Sequence, residues 1–169
     1  MTSVSVNTYT HSITYVADNI LKSLKDILVL SGLDPTNLSG SSSRESNLRA
    51  IKTWINSGHL KGVTLEIFDP RTNLLVYSWE LDVVYGWSET GDGNFYVDTD
   101  LLRYHIRKTG LLPSQMQYSL IMRLRPGAPD VAGFGDVEFR STTGMVKQSL
   151  GSAIEHNGLG ATAAYWRRS

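Results

Sequence analysis

The hydrophobic period of this chain changes from about 3.6 residues to 2 near residue 60, and that change restricts the folds open to it. Upstream, Ile13, Val16, Ala17, Ile20, Leu24, Ile27 and Leu28 recur at three- and four-residue spacing, one stripe of an amphipathic helix. Gly32 and Pro35 stop it, which predicts a helix over 13–31. After a polar loop, "TNLSGSSSRE", Ser42 and Glu45 stand at capping-box spacing. Leu48, Ile51, Trp54 and Ile55 then form a second stripe, a helix over 43–57 closed by Gly58.

Downstream, Val63, Leu65 and Ile67 alternate with Thr64, Glu66 and Phe68, a strand over 62–69. "DPRTN" is turn chemistry, and Tyr77, Trp79, Leu81, Val83 and Tyr85 alternate with Ser78, Glu80 and Asp82 in a second strand over 74–85. The two read as an antiparallel hairpin. The Gly-rich "SETGDGN" leads to a third helix over 99–109, capped by Asp98 or Thr99 and ended by Gly110 and Pro113. A further strand over 116–125 carries Tyr118, Leu120, Met122 and Leu124 on one face. The order predicts an α+β domain, with three helices on one side of a small, mainly antiparallel sheet. Such a sheet has open edges that something must cover.

Composition removes several function classes. The 169 residues suit one domain, and no apolar run approaches a membrane span. The N-terminus lacks the basic start and apolar stretch of a secretory signal, so the expected location is cytoplasmic. There is no cysteine, hence no disulfide, thiolate metal site or thiol catalysis. Sixteen basic and sixteen acidic residues give a net charge of zero, without global attraction to nucleic acid or anionic lipid. His11, His59, His105 and His156 lie far apart and read as helix-end or surface residues rather than metal ligands. No phosphate loop, dinucleotide fingerprint or nucleophile elbow is present. Asp98 and Asp100 read as a cap and a first-turn acid, and Arg123, Arg125, Arg167 and Arg168 as solvated strand faces. A small enzyme built on those acids and arginines is therefore the lesser alternative. No catalytic residue, metal or cofactor is expected.

The last forty or so residues read differently. Pro126, Gly127, Pro129, Gly133 and Gly135 make a connector able to bend. "DVEFRS" is a short strand candidate with Val137 and Phe139 on one face. Met145, Val146, Leu150 and Ile154 have spacings compatible with a short helix, weakened by Gly151, and "NGLGA" reads as glycine punctuation. Tyr165 and Trp166 supply anchors near the end. Such a tail is either a strand docked on an edge or a strap that pairs, detaches and pairs again.

Four stretches, "TYVADNILKSLKDILVLSGLDP", "AIKTWINSGHLKGVTLEIFDP", "YVDTDLLRYHI" and "FRSTTGMVKQSLG...GLGATAAYWR", resemble the HORMA domain, and within it the bacterial HORMA family 1. That family stands beside cGAS/DncV-like nucleotidyltransferases in anti-phage CBASS signalling. The resemblance spans nearly the whole chain and implies one HORMA-like domain over 1–169. Its parts would be an N-terminal handle (1–10), a core (11–126) and a C-terminal safety belt (127–169).

The resemblance further implies a peptide-binding adaptor. A closure-motif peptide would pair with the edge strand at Tyr118, Leu120, Met122 and Leu124. Phe139, Met145 and Val146 would complete the pocket wall from the belt. Leu150, Ile154, Tyr165 and Trp166 also fall in the belt, which would pair on the strand over 74–85. The closed, peptide-bound form would activate the nucleotidyltransferase. An AAA+ remodelling ATPase would reopen it by pulling on a handle that includes Val4, Val6 and Tyr9. No direct nucleic-acid or membrane contact is implied. An adaptor for a fixed protein partner, with no enzyme activated, is the alternative.

Overall fold

A computed structural model describes residues 9–168. The helices are α1 (Tyr9–Leu30), α2 (Thr36–Ser39), α3 (Ser41–Asn56) and α4 (Asp100–Thr109). The strands are β1 (Leu60–Asp69), β2 (Leu74–Tyr85), β3 (Phe95–Val97), β4 (Gln117–Leu124), β5 (Met145–His156) and β6 (Leu159–Arg168). They form one six-stranded sheet in the order β3-β5-β6-β2-β1-β4, every neighbouring pair antiparallel.

The α1 stripe is buried as its spacing predicts. The helix ends in a Schellman motif: Gly32 takes φ +80°, its N–H donates to Val29 O, and Leu33 N–H donates to Leu28 O at 2.8 Å. α3 ends the same way, with Gly58 at φ +76° and His59 N–H on Trp54 O at 2.8 Å. Its start differs from expectation. Gly40 is the N-cap and no side chain caps the helix, so Ser42 lies inside the first turn rather than ahead of it. α2, a single turn, is a fourth helix where a polar loop was expected.

The main core lies between the helices and one face of the sheet, joining Ile20, Leu24, Ile51 and Ile106 to Leu65, Trp79, Ala161 and Tyr165. Each fully buried aliphatic side chain contributes about 1.5–3 kcal/mol of transfer free energy. β1 is buried on both faces, because Thr64, Glu66 and Phe68 are covered as well as Val63, Leu65 and Ile67.

Two expectations for the tail are corrected. Residues 145–156 form a strand, not a helix. The ladder slips between Ser149 and Gly151 and again between Ser152 and Ile154, where β-bulges leave Leu150 and Ala153 without ladder partners. Each extra residue shifts the period-2 alternation, so Leu150, Ala153 and Ile154 all reach the core at spacings that imitate a helix. The "DVEFRS" stretch forms no strand, because it finds no ladder partner among the described residues. The histidine expectation is also corrected for two of the four. His105 and His156 are buried, His105 hydrogen-bonded to the Tyr165 hydroxyl and His156 to Ser12 Oγ.

No helix of the described residues is long and apolar enough to cross a membrane, and no cluster of three or more metal-ligating side chains occurs among them.

Candidate functional site

β4 is hydrogen-bonded to β1 on one side and to no strand on the other among the described residues. It is the sheet's edge, with unused backbone donors and acceptors. Tyr118, Leu120, Met122 and Leu124 face the helix layer and are half-buried against the core. Ile121 is buried on the opposite face. The strand is fixed at both ends. Tyr118 Oη donates to Asp34 O at 2.7 Å, and burial raises its pKa. Arg125 N–H donates to His59 O at 2.7 Å. One residue before the strand's end, Arg123 binds Asp82 and donates to Thr64 Oγ1.

The chain leaving β4 passes from one face of the sheet to the other. On the helix side, Trp54 Nε1 donates to Pro129 O at 2.7 Å, Phe134 meets the Trp54 ring edge-on at 5.6 Å, and Val131 enters the core. On the far side, the Arg140 backbone N–H donates to Glu66 Oε2 at 2.9 Å and its guanidinium to Glu66 Oε1 at 2.8 Å. The same guanidinium lies 3.4 Å over the Phe68 ring and donates to Asn73 Oδ1. Because β2 fills the other side of β1, the crossing passes β4. Between the two attachments Val137 and Phe139 stay exposed, at 61% and 53%. Prolines and positive-φ glycines at 127 and 133 keep the segment out of regular structure. An open cavity of about 370 Å³ lies at the helix-side attachment, walled by Trp54, Leu124, Val131 and Phe134.

The β5–β6 hairpin covers the other side of the core sheet, with β6 paired to β2 from Tyr77↔Arg167 to Tyr85↔Leu159. Its turn is the Asn-Gly pair Asn157 (φ +53°) and Gly158 (φ +91°), the positive-φ signature of a type I′ hairpin. Tyr165 is buried. Its ring stacks on Trp79 at 4.4 Å and 14°, and its hydroxyl meets His105 Nδ1 at 2.9 Å. Burial, then the positive Lys108, lower the His105 pKa. Trp166 points to the opposite face, where its Nε1 donates to Glu80 Oε1 and Lys147 pairs with Glu80 Oε2.

The expected site residues therefore fall into separate places. Tyr118, Leu120, Met122 and Leu124 share the open edge, with Phe139 in the segment that passes it. Met145 and Val146 do not join that wall. They lie on β5, four strands from β4, about 19 Å at the usual strand separation. Leu150, Ile154 and Tyr165 face the core. Tyr9 lies inside α1, donating to Ile55 O and packing edge-on against Trp87. Val4 and Val6 fall outside the described residues. Of the four arginines read as solvated strand faces, Arg125 sits over the Tyr85 ring and Arg168 binds Leu75 O. Sequence reasoning missed Glu66, Arg140, Trp54 and Phe134 as a strap and its seats. It also missed the Asn157–Gly158 turn, although Asn-Gly is a strong hairpin signal.

A chain of the E. coli MS115-1 CdnC:HORMA-deltaN complex aligns at TM-score 0.60 and 12% identity, covering 100% of this chain and 94% of that one. C. elegans HTP-1 bound to a HIM-3 closure motif aligns at 0.57 and 17%, covering 96% and 89%. A chain of the mitotic checkpoint complex aligns at 0.62 and 11%, covering 90% and 98%. At these identities the likeness concerns the fold alone. No curated protein sequence matches the chain. The family model that matches is Bacterial HORMA domain 2, over residues 1–169, so the HORMA resemblance holds with domain 2 as the matching model. The chain belongs to the bacterial HORMA domain 2 family.

Proposed function

We propose that this protein is a peptide-binding signalling adaptor in its closed arrangement, and that β4 is the strand to which a closure-motif peptide adds. One observation carries the reading. The C-terminal hairpin is paired on β2, which leaves β4 open while the chain from Pro126 to Gly144 straps past it. Added strands gain main-chain hydrogen bonds from any sequence, and alternate side-chain pockets select among peptides. A strap tied at Trp54 and Glu66 makes release depend on its opening, so bound peptide should leave slowly. HTP-1 bound to a closure motif, on the same fold, supports the assignment.

The closed form would bind and activate a cGAS/DncV-like nucleotidyltransferase in anti-phage defence. The fold shared with a CdnC:HORMA-deltaN complex supports that choice. An AAA+ ATPase pulling on the N-terminus would act on α1, whose Ser12 hydroxyl contacts His156 beside the hairpin turn and accepts from Trp87 Nε1. Unwinding that turn of helix would loosen the hairpin's seat.

The test is a random-peptide selection on the full-length protein, followed by amide exchange with an enriched peptide bound. Protection of residues 117–124, with nucleotide synthesis rising when this complex meets the nucleotidyltransferase, is expected. Enriched peptides that protect some other surface would overturn the edge assignment. Synthesis that never responds to the complex would leave an adaptor for a fixed partner.

A further inference from the structure

We infer that the peptide taken by the β4 edge is basic and apolar. It would be an extended segment that seats an aliphatic or aromatic side chain against Trp54 and Phe134 and a lysine or arginine beside Asp130, Asp136 or Glu138. This rests on the reading of β4 as a peptide-accepting edge. Asp130, Asp136 and Glu138 are the charged residues of the strap before its Arg140 tie, and all three are exposed. None has an ion pair or hydrogen bond among the described residues.

The neighbouring cations are engaged elsewhere. Arg123 is held by Asp82, Arg140 by Glu66, and Arg125 by Gly58 O and the Tyr85 ring. Asp130, Asp136 and Arg125 all border the cavity beside Trp54, with Arg125 its only cation among the described residues. The chain as a whole is neutral, so this negative excess is local to the strap. A strand lying between β4 and the strap would present alternate side chains to the helix-side cavity and to Phe139. Its lysine or arginine would meet an unpaired carboxylate in partly screened solvent, where complementary charge sets specificity and encounter rate more than affinity.

The test repeats the random-peptide selection on the full-length protein and on an Asp130→Asn/Asp136→Asn/Glu138→Gln variant, whose exposed, near-isosteric changes should leave the thermal melt unchanged. The wild type should enrich strand-length sequences carrying lysine or arginine next to an apolar residue. The variant should keep the apolar preference, lose the basic one, and bind a wild-type-selected peptide up to about fivefold more weakly at low salt, the upper worth of one exposed pair. That gap should close near 1 M salt, where the screening length is about 3 Å. Peptides enriched on the β4 edge without basic residues, or a basic preference unchanged in the variant, would overturn this inference and leave the peptide-binding reading intact. No enrichment on either protein would overturn both.

Discussion

Both carboxylate oxygens of Glu66 are taken by Arg140, 74 positions further along the chain, one by its backbone N–H and one by its guanidinium. Glu66 is 1% exposed, so its charge has exchanged water for this one residue. The strap is therefore tied to β1, the strand beside the open edge, through an interaction that is costly to break on one side alone.

Arg140→Ala should lower stability by roughly 3 kcal/mol, the low end for stranding a buried charge, because the Arg140 side chain itself keeps some access to water. Glu66→Gln should cost less, as the amide still accepts the backbone N–H. Urea unfolding measures both, and limited proteolysis should cut residues 127–144 of the Arg140→Ala protein sooner. Equal cleavage of variant and wild type would mean the strap is held elsewhere.

Tyr165 holds β6 by two separable means, a stacked ring and a hydroxyl. Tyr165→Phe should cost about 0.5–1.5 kcal/mol for the lost hydrogen bond. Tyr165→Ala should cost about 3–5 kcal/mol by opening a cavity beside Trp79. Thermal melts of the two variants decide whether the ring outweighs the hydroxyl as expected.

Stability should depend on pH through His105. Burial, with Lys108 adding to it, holds its pKa below the ordinary 6.5. Between the two values the unfolded chain binds a proton that the folded protein refuses. The stabilisation is therefore complete above about pH 6.5 and is lost as pH falls through the lowered folded value. Melting temperature should drop from about pH 7.5 to about 5.5 in the wild type and drop less in His105→Gln. Parallel curves would assign the dependence to other groups.

The hairpin turn offers a backbone test. Gly158 takes φ +91° and packs on the Gly86 carbonyl, so a Cβ there meets both strain and a backbone atom. Gly158→Ala should cost at least about 1 kcal/mol, with faster amide exchange in β5 and β6 than in β1. Uniform loss across the sheet would show that the hairpin does not open as a unit.

Local chemistry was enough to place α1, α3, α4 and the β1–β2 hairpin. Stripe spacing, strand alternation and glycine stops are short-range signals, and the expected ranges differ from the observed ones by a few residues, most at the start of α1. The same alternation named the side chains of the edge strand. The tail was misread because bulges at Leu150 and Ala153 disguise a strand as a helix, and only pairing with β6 reveals them.

The sequence by itself determined α1, α3, α4, the β1–β2 hairpin and the edge strand β4, which of their faces are apolar, and that a weakly patterned tail is left over. Pairing of the tail on β2, implied only by the family resemblance, is seen in the ladder itself, and tertiary structure alone decided that Glu66 answers Arg140 and that His105 and His156 are interior. The physical reason is range. Periodicity and turn chemistry act over a few residues, whereas an open edge, a buried ion pair and a stacked ring are made by residues tens of positions apart, and no local pattern encodes which partner each will meet.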